Sequence, residues 1–367
     1  MTSASAAPSV AHTFHDVSDD LRHGQIVVVA ARWLLVAAGL GFLLYRPQST
    51  LELTTGILGL LGIAVANFWL HTRLLTRQPI EPQQAYWASV ADLAVISGLV
   101  LVQGSVTSGA SAFYYPAILA YSLVFPTQVT ALLTAGVLSF VTIAGMTHAV
   151  DERILVARLL SLAGVSLIAA RYRHVESQRR ARRGMLSIAF PAESAQLESQ
   201  EDVFHGQIVC ILARWFVIAG ALFFTLWHAP SITYLQRHIL LLVPLIAANF
   251  FLHGRYLMHL PANPLLLQLA SALDVAVVTA MLLTGQPDSF VFYYPVALAF
   301  GLVFVRRLTV VFVGILAALY AALTIPGLHL DGDEETLAIR LVTLVGAALL
   351  ATLYWRIQRA RRRGEPS

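Results

Sequence analysis

The chain has 367 residues, of which 57% are hydrophobic and only 12% charged, about half the charged share of soluble domains, ~25%. A soluble fold of this length cannot bury so much apolar surface and keep a polar exterior. The formal net charge is +4, every basic residue other than histidine is Arg, and the lone cysteine, Cys210, excludes an intramolecular disulfide or a multi-cysteine metal site.

In chain order, the segment 1–22 is polar, rich in Ala and Ser over Met1 to Asp20, and reads as a flexible N-terminal segment. It lacks a basic start followed by an apolar core. The expectation is therefore no cleaved signal peptide, with the first apolar run acting as an anchor. Six apolar runs follow, at 25–45, 52–71, 86–103, 112–126, 128–147 and 154–172. Six more lie at 207–227, 238–253, 266–284, 290–304, 308–325 and 337–355. About 20 helical residues cross a bilayer core. The fold expected is all-α integral membrane, with about twelve transmembrane helices. The fourth run of each set is short and merges with the fifth.

The two sets are copies. His23-Gly24-Gln25-Ile26-Val27 recurs as His205-Gly206-Gln207-Ile208-Val209, Arg32-Trp33 as Arg214-Trp215, and Ala66-Asn67-Phe68 as Ala248-Asn249-Phe250. Leu70-His71 recurs as Leu252-His253, and Asp92 as Asp274, all at an offset of 182. Tyr114-Tyr115-Pro116 matches Tyr293-Tyr294-Pro295 at 179, and Arg158 matches Arg340 at 182 again. The domain plan is a first repeat at 23–173, a basic-then-acidic cytoplasmic linker at 174–204, a second repeat at 205–357 and a basic tail at 358–367.

Arginines set the topology. Arg171, Arg173, Arg179, Arg180, Arg182 and Arg183 follow the sixth run, and Arg356, Arg359, Arg361, Arg362 and Arg363 follow the twelfth. Arg73, Arg77 and Arg255 follow the second run of each copy, and Arg306 and Arg307 precede the eleventh. The opposite loops carry Asp151-Glu152, then Asp331, Asp333, Glu334 and Glu335. Both termini are thus expected in the cytoplasm, with two parallel six-helix repeats related by an axis along the membrane normal. The linker's second half holds Glu193, Glu198, Glu201 and Asp202. It reads as a solvated connector or an interfacial helix. The arginine runs read as stop-transfer signals, not as a nucleic-acid surface.

Charge inside hydrocarbon is costly and faces the bundle interior. Arg32 lies eight residues beyond Gly24, roughly 12 Å along a helix, and Asn67 and Asp92 fall at a similar depth. The pattern predicts an Arg–Asp pair bridged by Asn in each copy: Arg32, Asn67 and Asp92, then Arg214, Asn249 and Asp274. Such a cluster serves as a staple fixing helix register, as a polar site for an amphipathic ligand, or as an ion-coupled transport site. His71 and His253 sit at the cytoplasmic ends of second spans. Trp33, Trp215, Tyr172, Tyr354 and Trp355 fit an aromatic belt. Phe113, Tyr114, Tyr115 and Pro116, with Phe292, Tyr293, Tyr294 and Pro295, open the fourth runs. They read as interface anchors or as an outer-leaflet pocket in which a phenol holds a ligand carbonyl.

No phosphate loop, His-Glu metal motif or nucleophile elbow occurs, and no metal, enzyme activity or obligatory cofactor is expected. Each copy resembles the six-helix membrane sensory region of RegB-like bacterial sensor histidine kinases. The likeness rests on Arg-Trp in the first span, Asn late in the second, Asp in the third, and Phe, Tyr and Pro opening the fourth. In that family the loop before the fourth span reads Gly-Gly-x-x-Asn-Pro-Phe and is implicated in quinone sensing. Thr284-Gly285-Gln286-Pro287-Asp288-Ser289-Phe290 is a loose match, and Gln103-Gly104-Ser105 through Phe113 is longer and departs further. The family's sixth helix leads into a kinase; here it leads to the second copy or to Gly364-Glu365-Pro366-Ser367. The resemblance implies a tandem of sensor units in a bacterial inner (cytoplasmic) membrane, with a lipid or quinone-like ligand. Its partners are membrane lipids and a separate signalling or membrane-complex protein. A secondary transporter of two six-helix halves and a structural or assembly subunit are the alternatives.

Overall fold

The computed structural model describes residues 10–45, 50–76, 81–104, 106–186, 194–227, 231–284, 287–324 and 334–362. Arg77, Ser105, Glu193, Gly285, Gln286, Asp331, Asp333 and 363–367 lie outside them. Among the described residues there are twelve α-helices and no strand. They are α1 (Val10–Tyr45), α2 (Thr50–Leu75), α3 (Pro82–Val102), α4 (Tyr114–Val124), α5 (Thr127–Thr147) and α6 (Glu152–Leu186), followed by α7 (Ser194–Trp227), α8 (Ile232–Leu257), α9 (Pro264–Leu283), α10 (Tyr293–Val303), α11 (Arg306–Thr324) and α12 (Glu334–Arg362). A short 3-10 turn precedes α4 (Gly109–Phe113) and another precedes α10 (Pro287–Phe292).

Ten of these helices are long and apolar enough to cross a bilayer. The exceptions are α4 and α10, of 11 residues each, or about 16 Å. These are the fourth runs of the two sets, short in the sequence as well. With their 3-10 turns of five and six residues, the short helices have contour lengths of roughly 26 and 28 Å. Every residue of α4, and all of α10 but Val303, is buried. A helix apolar on all sides belongs inside a bundle. Surrounded by protein, these helices need not match the lipid thickness.

The segment 1–22 is not uniformly irregular: α1 starts at Val10, since no Gly or Pro interrupts 10–23. The described residues of the linker 174–204 are likewise helical. α6 continues to Leu186 and α7 begins at Ser194, each extending a span beyond the membrane length.

The helices pair in matched sets. α4 packs on α1, α6 and α12; α10 packs on α7, α12 and α6; α1 meets α12, and α6 meets α7. Gly24 and Gly206 explain one recurring motif. A Cβ on Gly24 would come within 2.8 Å of the Val124 methyls, and one on Gly206 within 2.6 Å of Val303. Glycine therefore lets α1 and α7 close on the short helices at equivalent points.

Candidate functional site

α1 and α3 bring Arg32 and Asp92 together. The Arg32 Nε donates to Asp92 Oδ2 at 2.6 Å, and both side chains are buried. α7 and α9 do the same with Arg214 and Asp274, where Nε donates to Oδ1 at 2.5 Å and Nη2 to Oδ2 at 2.9 Å. The expected pairs are thus in contact, but asparagine does not bridge them. Asn67 Nδ2 donates to the Val29 carbonyl at 3.2 Å, and Asn249 Nδ2 to the Ile211 carbonyl at 3.4 Å. The reason is register. The reached carbonyl lies one helical turn before the arginine, so asparagine ties α2 to the α1 backbone, and α8 to α7 in the same way.

The halves differ around these pairs. Tyr121 donates its hydroxyl to Asp92 Oδ2 at 2.7 Å; the equivalent residue in the second half is Phe300. Both Nη atoms of Arg32 are buried without a partner among the described residues, as is Nη1 of Arg214. In hydrocarbon such donors have no water to fall back on.

The Phe-Tyr-Tyr-Pro motifs are buried inside the helix bundle. Phe113, Tyr114, Tyr115, Phe292, Tyr293 and Tyr294 are all buried, as are Pro116 and Pro295. Each phenol is bonded to a hydroxyl. Tyr114 pairs with Ser97 at 2.7 Å and Tyr293 with Thr279 at 2.7 Å; Tyr115 pairs with Ser161 at 2.5 Å and Tyr294 with Thr343 at 2.7 Å. Serine and threonine at matching positions hold the same contacts, which a search for charged residues alone passes over.

Trp33 donates its indole N–H to His71 Nδ1 at 3.4 Å, and Trp215 to His253 at 3.3 Å. Trp33 and Trp215 thus each hold a histidine side chain. Among the described residues no group of three or more potential metal ligands converges.

Three cavities adjoin these residues. One of about 90 Å3, between the halves, is lined by Tyr115, Tyr294, Arg158 and Arg340, among others. Arg158 donates to the Val106 and Thr107 carbonyls and to Ser111 Oγ. This satisfies loop backbone that enters the bundle, the condition for non-helical chain at such depth. Arg340 instead donates to the Tyr320 hydroxyl at 2.8 Å and stacks 5.1 Å from the Phe290 ring. The sequence marked these arginines only as a repeat pair; their place at the join was not legible from it. A second cavity, about 360 Å3 and largely apolar, opens sideways between α1 and α12 beside Phe113. A third, about 10 Å3, lies beside Arg32, Asp92 and Tyr121.

Fold and site together define a multi-pass α-helical membrane protein. Comparison of the chain with protein-family models, with curated proteins and with solved structures finds no match.

Proposed function

We propose that the protein is a non-enzymatic, sensory-type membrane protein that binds a lipophilic ligand, a lipid or quinone-like molecule, and signals through a partner protein. The observation that carries this reading is the lateral groove between α1 and α12, lined by Ala37, Ala38, Gly41, Phe42, Ile339 and Val342 among others. A side-opening apolar groove admits a ligand from the bilayer, and apolar concavities of a few hundred Å3 are the usual form of ligand sites. Its likeness to the RegB-like sensory region points the same way. The paired, packed polar clusters also favour a second reading, a structural subunit of a membrane complex.

In this reading the chain is two parallel six-helix repeats in the bacterial inner membrane, with both termini cytoplasmic. Recurring residues separated by a fixed offset, matched helix pairings and contacts between equivalent residues support it. Residues that touch their own repeat mates lie on a twofold axis. With both halves the same way up, that axis runs along the membrane normal.

Native mass spectrometry of the full chain in mild detergent tests the ligand. A retained lipid or quinone is expected; a bare chain whose melting is unmoved by added membrane lipid extract rejects the reading. Reporter fusions at both ends should report the cytoplasm.

A further inference from the structure

The cavity beside Arg32 and the lateral groove share one wall. Phe113 lines both. Along α1, Val28, Ala31, Arg32 and Leu35 face the small cavity, and Ala38 and Phe42 continue that face into the groove, spaced three and four residues apart as one helical stripe requires. From Arg32 to Ala38 is about 9 Å along the helix. Phe113 thus separates the apolar groove from a small cavity beside Arg32, two of whose buried guanidinium Nη atoms lack acceptors among the described residues.

The second half is built differently at these points. Phe223 stands where the first half has Gly41, and Phe300 where it has Tyr121. Phe223 packs against Phe224 and Trp227, whereas nothing lies within 4 Å of where a Gly41 side chain would begin. Without a phenol on its carboxylate, Asp274 takes both Nε and Nη2 of Arg214.

We propose that the first half alone is a ligand site: a neutral lipid places a carbonyl oxygen at the Arg32 Nη atoms, past Phe113, and its chain in the α1–α12 groove. The inference rests on the lipophilic-ligand reading above and adds which half binds and through which atoms. Neutrality follows from Asp92, which already balances the Arg32 charge. A second anion at that depth would be buried without a countercharge, while a carbonyl satisfies the idle donors without adding charge. The small cavity has room for about one oxygen-sized group.

The probe is a long-chain methyl ketone labelled with carbon-13 at its carbonyl, compared with the alkane of equal length, on the full chain in nanodiscs. The ketone should bind about tenfold more tightly than the alkane, with its carbonyl resonance shifted downfield. Gly41→Phe, which copies the second half, should abolish binding of both. Tyr121→Phe should let Arg32 close on both carboxylate oxygens, leaving alkane binding intact and erasing the ketone preference. A single cooperative melting transition checks that both variants fold, and the second half carries Phe223 and Phe300 at the matching positions. Equal affinity for ketone and alkane overturns the inference, and so does ketone binding that survives Gly41→Phe. In either case a lipid or quinone retained in native mass spectrometry leaves the broader reading standing. A chain that retains neither and binds neither probe ends both.

Discussion

Tyr115 and Tyr294, the same position of the two Phe-Tyr-Tyr-Pro motifs, stack ring on ring with centroids 3.8 Å apart and planes 5° apart. Tyr172 and Tyr354, also equivalent, meet edge-on at 6.0 Å. In the proposed two-repeat reading these are self-contacts of the repeat, and they mark where its halves join. Each tyrosine of the stack is held by its own hydroxyl bond, to Ser161 or Thr343, so the rings are positioned before they meet. An aromatic pair contributes about 0.5–1.5 kcal/mol beyond burial. A double-mutant cycle of Tyr115→Leu and Tyr294→Leu, read by thermal unfolding in detergent, should give coupling of that size. Additive effects would mean that the stack does not join the halves.

The Arg–Asp pairs lead to a second prediction. Asp92→Ala or Asp274→Ala leaves an uncompensated guanidinium in the bundle, a change that typically costs ~3–5 kcal/mol. Replacing both partners, Arg214→Leu with Asp274→Leu, should recover most of that loss, because two apolar residues leave no charge behind. The check is folded yield and melting temperature of single against double variants. A double variant no better than the single would show that the pair contributes more than mutual neutralisation.

Much of this arrangement was legible in the sequence, for a physical reason. Arg32, Asp92 and their mates stand out because charge is rare in hydrocarbon and must be paired, so a matched offset was enough to join them. Asn67 was placed at the right depth but given the wrong partner. A depth argument fixes height along the membrane normal, not the direction in which a short amide points. For the tyrosine motifs the sequence left surface anchor and pocket lining both open, because their burial depends on hydroxyl partners on α3, α6, α9 and α12 that sequence spacing does not reveal. The short α4 and α10 look like spans in hydropathy because an interior helix is as apolar as a lipid-facing one. The groove beside Gly41 was invisible, since the sequence pattern does not tell how closely α1 and α12 approach there.

Tyr121 and Phe300 supply a third prediction. Tyr121→Phe removes a hydrogen bond to a carboxylate, an interaction worth about 1.5–3 kcal/mol. Part of that loss should be offset when Arg32 swings its Nη group onto the freed oxygen, as Arg214 does. The measured destabilisation should therefore fall at or below about 1.5 kcal/mol. A loss well above this range would mean that Arg32 is held away from the second oxygen by its surroundings.

The two glycines of the recurring His-Gly-Gln-Ile-Val motif should behave alike. At Gly24 an added Cβ meets the Val124 side chain at 2.8 Å, and at Gly206 it meets Val303 at 2.6 Å. In both cases the obstacle is a β-branched side chain, which has little rotamer freedom in a helix with which to step aside. Gly24→Ala and Gly206→Ala should each cost about 1–3 kcal/mol by overpacking, although alanine is the better helix former by ~1 kcal/mol. Packing wins over propensity because the short helices are enclosed on all sides and cannot withdraw. The control is compensation: Gly24→Ala with Val124→Ala, and Gly206→Ala with Val303→Ala, should regain most of the lost melting temperature. If the alanine variants instead melt higher than the wild type, helix propensity governs this contact, and the close approach of α1 to α4 and of α7 to α10 is not what the glycines are for.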